Sequence, residues 1–151
     1  MKLRNELLNG VHQVLLNDLF ELPGFEQCVT AYEDLGRQYI ETGFEKGAYL
    51  ALGDRKIIAL ACVHDGQCVG FGGLIPNTDR HYGKLMLVDS IFVKSAYRKM
   101  GYGEKLLEKI KQVSRENGCK ALLFSAMSGT ALEKVFSRRY KKFCTMFYEG
   151  I

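Results

Sequence analysis

The residues best suited to chemistry in this 151-residue chain lie in the stretch YRKMGYGEKLL, residues 97–107. Arg98 and Lys99 lead into Gly101 and Gly103, and the two glycines open a leucine-bearing helix. A glycine costs a helix about 1 kcal/mol relative to alanine, so a pair at a helix start implies that something must come close to the backbone. The first turn of a helix carries unpaired N–H groups at the positive end of its dipole, and residues without side chains let a diphosphate lie against them. The expected cradle is the backbone of residues 99–104, which are Lys99, Met100, Gly101, Tyr102, Gly103 and Glu104, with Arg98 and Lys99 adding charge. Two other phosphate motifs are excluded. Leu106 stands where the third glycine of G-x-G-x-x-G belongs, and G-x-x-x-x-G-K-[ST] is absent. A second residue invites chemistry: Asp89 interrupts the apolar run KLMLVDSIFV. A carboxylate inside such a strand must be paired, hydrogen-bonded or used.

The elements that must position these groups follow from periodicity. KLMLVDSIFV, residues 84–93, is continuous enough to be a strand buried on both faces. Leu106, Leu107, Ile110 and Val113 mark a helix running from Gly103 to the Asn117–Gly118 stop, and KALLFSAM, residues 120–127, is the next strand. Strand, helix and strand form a right-handed crossover that makes the two strands parallel. Upstream, KIIALACV and CVGFGGLI flank HDGQ, and Asp-Gly between apolar runs predicts a hairpin. NTDRHYG, residues 77–83, reads as a polar loop. Leu3, Leu7, Leu8, Val11, Val14, Leu15, Leu19 and Phe20 predict one amphipathic helix over 3–20, ended by Pro23-Gly24 and paired with a second helix over 26–39. Thr130 and Glu133 form a capping box for a last helix from Ala131 to about Arg139, and KFCTMFYEG, residues 142–150, closes the chain as a strand.

Composition sets the class. Apolar residues at 47% and charged residues at 25% fit one ordinary globular domain spanning 1–151, with neither repeat nor linker. No window approaches the roughly 18 apolar residues of a membrane span, and the polar N-terminus is unlike a signal peptide, so a cytoplasmic protein without membrane contact is expected. The five cysteines are odd in number and lack C-x-x-C. They read as reduced thiols, and Cys62, His64 and Cys68 read as strand and turn residues, so no metal is expected. The net charge of +4 is too small to call for nucleic acid. It is unevenly spread: −4 over residues 1–50, +1 over 51–97 and +7 over 98–151. The basic end suits an anionic partner and the acidic end a cationic one, unless both are plain solvated helix faces.

Arg98-x-x-Gly101-x-Gly103, preceded by the strand Ile91-Phe92-Val93 and followed by a helix and a parallel strand, resembles the acetyl-CoA signature of the GCN5-related N-acetyltransferase (GNAT) family. The resemblance spans residues 57–148 in element order and is most specific over 89–113. It implies an α/β fold: a mixed, mostly antiparallel sheet flanked by helices on both faces, whose central parallel pair splays to admit CoA. It implies acetyl-CoA as co-substrate, with the backbone of Ile91, Phe92 and Val93 against the pantetheine arm and the loop from Arg98 to Gly103 around the pyrophosphate. Asp89 falls where the family often carries an acidic residue, as general base or amine-positioning group; the alternative is a structural pairing with a nearby Arg or Lys. The family's tyrosine acid has no match, since Val135 or Phe136 stands there and the following glycine is missing. Tyr140, one turn on, is the replacement, or else a buried structural tyrosine, and Ser125 or Ser128 are further candidates. Ser128 also lies near the family's CoA-contacting asparagine, or is a turn residue.

The implied function is acetyl transfer to a primary amine of a small molecule. In this family the first two helices and the loop between them border the acceptor side, and that region carries Asp18, Glu21, Glu26, Glu33, Asp34, Glu41 and Glu45, which favours a small cationic amine. A protein or aminoacyl-tRNA acetyltransferase and a non-catalytic acyl-CoA-binding module are the competing readings. A homodimer is compatible with the terminal strand as a sheet edge.

Overall fold

Along residues 58–63 the side chains divide strictly between two cores. Ile58, Leu60 and Cys62 join one, and Ala59, Ala61 and Val63 join the other. This is the period of two of a strand covered on both faces. In the computed structural model, which describes residues 7–36, 57–126, 129–142, 147 and 149, it is β2 (Ile58–His64) of a five-stranded sheet ordered β1-β2-β3-β4-β5. β1 (Gly10–Val14), β3 (Gln67–Asp79) and β4 (Gly83–Val93) complete an antiparallel meander, and β5 (Ala121–Phe124) lies parallel to β4. The mixed, mostly antiparallel sheet with its parallel pair is therefore present. The hairpin between β2 and β3 turns at Asp65 and Gly66, with φ of 49° and 75°. Both are positive, as a tight Asp-Gly turn requires.

Helices cover both faces. On one, α1 (Leu16–Glu21) and α2 (Phe25–Gly36) set Leu19, Leu22, Phe25 and Cys28 against Ala59, Ala61, Val63, Phe71 and Phe92. On the other, α3 (Tyr102–Glu116) sets Leu106, Leu107, Ile110 and Val113 against Leu60, Cys62, Leu74, Met86 and Val88. Burying each such side chain contributes about 1.5–3 kcal/mol, so the start of α3 is anchored far more strongly than a glycine-bearing helix would manage alone. α3 stops where expected, with Asn117 Nδ2 donating to the Val113 carbonyl at 2.8 Å. α4 (Ala131–Arg139) opens on the expected cap. Glu133 N–H donates to Thr130 Oγ1 at 3.1 Å, and Glu133 Oε2 accepts from the N–H of Gly129 at 2.8 Å.

Three elements differ from the sequence expectation, one being the strand over 120–127, which is β5 at Ala121–Phe124 with Ser125 and Ala126 past its end. The single helix over 3–20 is wrong: residues 10–14 are strand β1, and among the described residues of this stretch the helix is confined to Leu16–Glu21. Spacings of three and four also suit Val11 facing one core and Val14 the other across a short strand. The open edge of β2 supplied a ladder that local periodicity does not reveal. Gly10 adopts φ 142°, a conformation no helix admits. The loop over 77–83 is likewise shorter than expected, because pairing continues to Asp79 opposite Gly83 and leaves Arg80, His81 and Tyr82 as the turn. Asp79 Oδ1 accepts from the N–H groups of His81 and Tyr82 at 2.7 and 3.0 Å. Residues 1–6, the end of the second helix at 37–39, residues 40–56 and most of the closing strand over 142–150 lie outside the described residues.

Cys28, Cys62 and Cys68 are buried, and burial followed by the charge of Cys28 pushes the Cys62 thiol up to about 12. Among the described residues no group of three or more His, Cys, Asp or Glu is placed to hold a metal ion. None of their helices is long and apolar enough to cross a membrane.

Candidate active site

The site begins where β4 loses its regular neighbours. The parallel ladder runs from Leu85 opposite Ala121 to Val88 opposite Phe124 and ends there, while β4 continues to Val93. On the other edge Ser90 pairs with Gly73 and Val88 with Leu74, so Asp89 is an extra residue between them. That is a β-bulge, a device that re-aims side chains. Its effect can be read in the core: Val88 and Ile91, three residues apart, lie on the same α3 face, a change of parity that only an inserted residue produces. Bulge and fork thus coincide at Asp89. Beyond it the β5-facing edge of Ile91, Phe92 and Val93 has no strand partner among the described residues.

A 3-10 segment, Ser95–Met100, leads from β4 into the glycine pair. Gly101 is the N-cap of α3, with φ 83° and ψ 7°, a left-handed conformation that favours glycine. Gly103 is different. It sits in the helix with no special φ, and a Cβ built there meets nothing within 4 Å. Neither backbone strain nor packing within the described residues demands glycine at 103. Between the two, Tyr102 turns inward and is buried. Its hydroxyl donates to the Val63 carbonyl at 3.1 Å and lies 2.8 Å from His64 Nδ1, which fixes the loop to β2. His64 was not singled out for this role from sequence, because its partner lies 38 residues away.

The predicted charges divide. Arg98 Nε donates to the Val93 carbonyl at 2.8 Å with its guanidinium 5.7 Å from the Phe92 ring, so part of this side chain braces the end of β4. Lys99 and Met100 are exposed, and Glu104 is exposed and ion-paired with Arg139. The four N–H groups that open α3 are therefore flanked by cations, and the glycine surface above them is open.

Asp89 is partly exposed, and burial of the remainder holds its carboxyl above the ordinary carboxylate range. Tyr32 of α2 faces it: burial first, then the Asp89 charge, pushes the Tyr32 hydroxyl up. The Tyr32 ring meets Phe71 and Phe92 edge-on, each at 5.6 Å. Sequence reasoning missed Tyr32, although its place on the second helix, beside the acidic residues, was the available signal. Glu26, Gln27, Thr30, Ala31 and Asp34 line a shallow groove on the outer side of the same helix. On the β5 side, Tyr140 caps the end of α4 with its ring stacked on Phe124 at 4.8 Å and 12°. Its hydroxyl is shut off from solvent and makes no hydrogen bond among the described residues. Phe136, where the family's tyrosine was sought, packs on Phe124 at 5.0 Å. Ser125 is exposed, one residue past the last rung of the ladder. Ser128 lies outside the described residues. The structure thus places Asp89, Ile91, Phe92, Val93 and Ser125 around one fork, with the 98–104 loop following directly from β4 and Tyr140 stacked on the fork's last rung.

Comparison with known proteins bears on the family and the fold. Residues 18–140 match the model of the acetyltransferase (GNAT) family. An aminoglycoside acetyltransferase from an uncultured soil metagenomic sample is similar in structure, with a TM-score of 0.72 at 16% identity over 93% of this chain and 95% of that one. The ribosomal-protein-alanine N-acetyltransferase of Brucella melitensis biovar Abortus 2308 gives 0.71 at 22% identity over 93% and 96%. A GNAT family acetyltransferase of Staphylococcus aureus gives 0.66 at 17% over 93% and 97%. No curated protein sequence matches the chain. At these identities the structural likenesses establish the fold alone, whereas the family model covers most of the chain: it belongs to the GNAT acetyltransferase family.

Proposed function

We propose that the chain, acting as one domain over 1–151, transfers the acetyl group of acetyl-CoA to a primary amine of a small cationic molecule, in the cytoplasm. The observation that carries the cofactor half of this reading is Gly103. It opens α3, the helix that follows the Ile91–Val93 end of β4, where no strand pairs on the β5 side among the described residues, and a side chain at 103 would project into space that those residues do not fill. A cradle that a Cβ would occupy, lined by helix N–H groups and flanked by Arg98, Lys99 and Arg139, fits a diphosphate. The backbone of Ile91, Phe92 and Val93 would hold the pantetheine arm along the fork, and residues 98–104 the diphosphate. Ser128 keeps its proposed contact to CoA.

Acetyl-CoA supplies an activated thioester; the chain's residues supply geometry and proton transfer. Asp89 accepts a proton from the ammonium form of the acceptor, and the freed nitrogen lone pair attacks the thioester carbonyl carbon. The carbon–sulfur bond breaks, the departing thiolate takes a proton from Tyr140 or Ser125, and that hydroxyl regains its proton from the attacking nitrogen, which sheds it in becoming the amide. The raised carboxyl of Asp89 suits a base, since its proton affinity lies closer to neutrality than that of an exposed aspartate. The acidic groups of α1 and α2, with the Tyr32 ring, favour a cationic acceptor approaching from that face. Calorimetric titration of CoA into the parent and into Gly103→Val tests the cofactor half. We expect at least a tenfold loss in the variant, and equal affinity would refute it.

A further inference from the structure

One ion pair fits poorly with a purely structural role. Glu104 lies in the first turn of α3, and it sets a carboxylate beside the N–H groups assigned to a diphosphate. An acidic residue there is favoured by the helix dipole but opposes a second anion. Its partner comes from far along the chain: Arg139 Nη1 donates to Glu104 Oε1 across 35 residues. Arg139 ends α4, whose finish packs on β5 at the fork's last rung. The Thr130–Glu133–Gly129 cap fixes its start, and the Phe124, Phe136 and Tyr140 rings fix its finish. Both side chains are open to solvent, 33% for Arg139 and 65% for Glu104. Exposed pairs of this kind add little to stability, so stability does not account for the placement.

We propose that Arg139 is a cofactor-binding residue: from α4 it neutralises Glu104 and adds a cationic donor to the diphosphate loop, so that the two helices hold the diphosphate between them. The inference rests on the acetyl-CoA reading. A guanidinium carries five N–H donors, and one serves Glu104 Oε1, which leaves others for a phosphate oxygen. The sequence motif could not show this, because it ends at Gly103 while the cation comes from the last residue of α4.

The test is a charge cycle on the full chain, read by calorimetry with CoA and, in parallel, with pantetheine, which has the arm but no diphosphate. Arg139→Ala should weaken CoA about tenfold, Arg139→Lys about threefold, and Glu104→Gln should tighten CoA about threefold. The double variant Glu104→Gln/Arg139→Ala should recover part of the loss, because the uncancelled carboxylate is gone. Pantetheine affinity should be the same in all of them, and melting temperatures should stay within about 2 °C of the parent. Unchanged CoA affinity in Arg139→Ala overturns the inference while leaving the acetyl-CoA reading intact. An equal loss for CoA and pantetheine also overturns it, since that would mean α4 had merely moved. A parent protein that binds no CoA defeats the cofactor reading and this inference with it.

Discussion

At the scale of single residues, three side chains and one missing side chain carry the account. Gly103→Ala should stabilise α3 by up to about 1 kcal/mol, because glycine is the poorer helix former and the new methyl meets nothing, yet it should weaken CoA binding. Thermal unfolding and calorimetry on the same sample read both effects, and a variant that gains stability with no loss of affinity would contradict the role given to Gly103. Asp89 makes a pH prediction. Burial raises its carboxyl above the ordinary range, so kcat/KM should fall on an acid limb displaced upward from that of an exposed aspartate, and the limb should vanish in Asp89→Asn. The stability sign is the opposite of a salt-bridged aspartate: a raised folded pKa favours the native state below the unfolded value, and that contribution is lost as pH rises through the folded one. Asp89→Asn should therefore melt no lower than the parent at neutral pH, within about 2 °C, while kcat drops about a hundredfold. Tyr140→Phe removes a buried hydroxyl without a partner among the described residues, so stability should hold or rise. A roughly tenfold fall in kcat would mark the hydroxyl as the acid, and an unchanged kcat would pass that role to Ser125. Of these residues, Gly103 and Asp89 were legible because each breaks a local rule, a glycine in a helix and a carboxylate in an apolar strand. Tyr32, His64 and Arg139 break none, and only the fold brings them to the site.

At the scale of elements, the fork is the working part. The β4–β5 ladder ends at Val88 and Phe124, and the bulge at Asp89 shifts the next stretch of β4 by one residue against β3, with which it stays paired to Val93. CoA should therefore slow amide hydrogen exchange selectively over residues 89–93 and 101–104, and leave β1 and β2 unchanged. Uniform protection across the sheet would mean global stabilisation and would count against insertion at the fork. Most elements could be read from the chain, because β2, β3, β4, α3 and α4 each carry their own periodicity and their own stop signals. The strand Gly10–Val14 could not: five residues with helical spacing became strand because β2 had an open edge, a partner that lies almost fifty residues away. The fork itself was legible only through family resemblance, since where a ladder ends is a property of two strands and not of either sequence.

At the scale of the whole molecule, charge asymmetry links the two substrates. Residues 98–151 carry a net +7 and include the proposed diphosphate site, whereas residues 1–50 carry a net −4 and include the α1 and α2 acids. Added salt should raise the KM of a cationic acceptor, because the screening length is about 8 Å at physiological ionic strength. Glu26→Lys with Asp34→Lys, in the groove on α2, should raise it further with little change in CoA affinity. An unaltered KM would reduce the acidic face to a solvated surface. The most direct test of the central claim is turnover: incubate the protein with acetyl-CoA and a panel of polyamines, aminoglycosides and amino acids, follow free CoA thiol, and identify the product by mass. The account predicts amine-dependent thiol release with one acetyl group gained by a cationic amine, and its loss in Gly103→Val. CoA binding without amine-dependent release, or release only with an uncharged, protein or nucleic-acid acceptor, would contradict it.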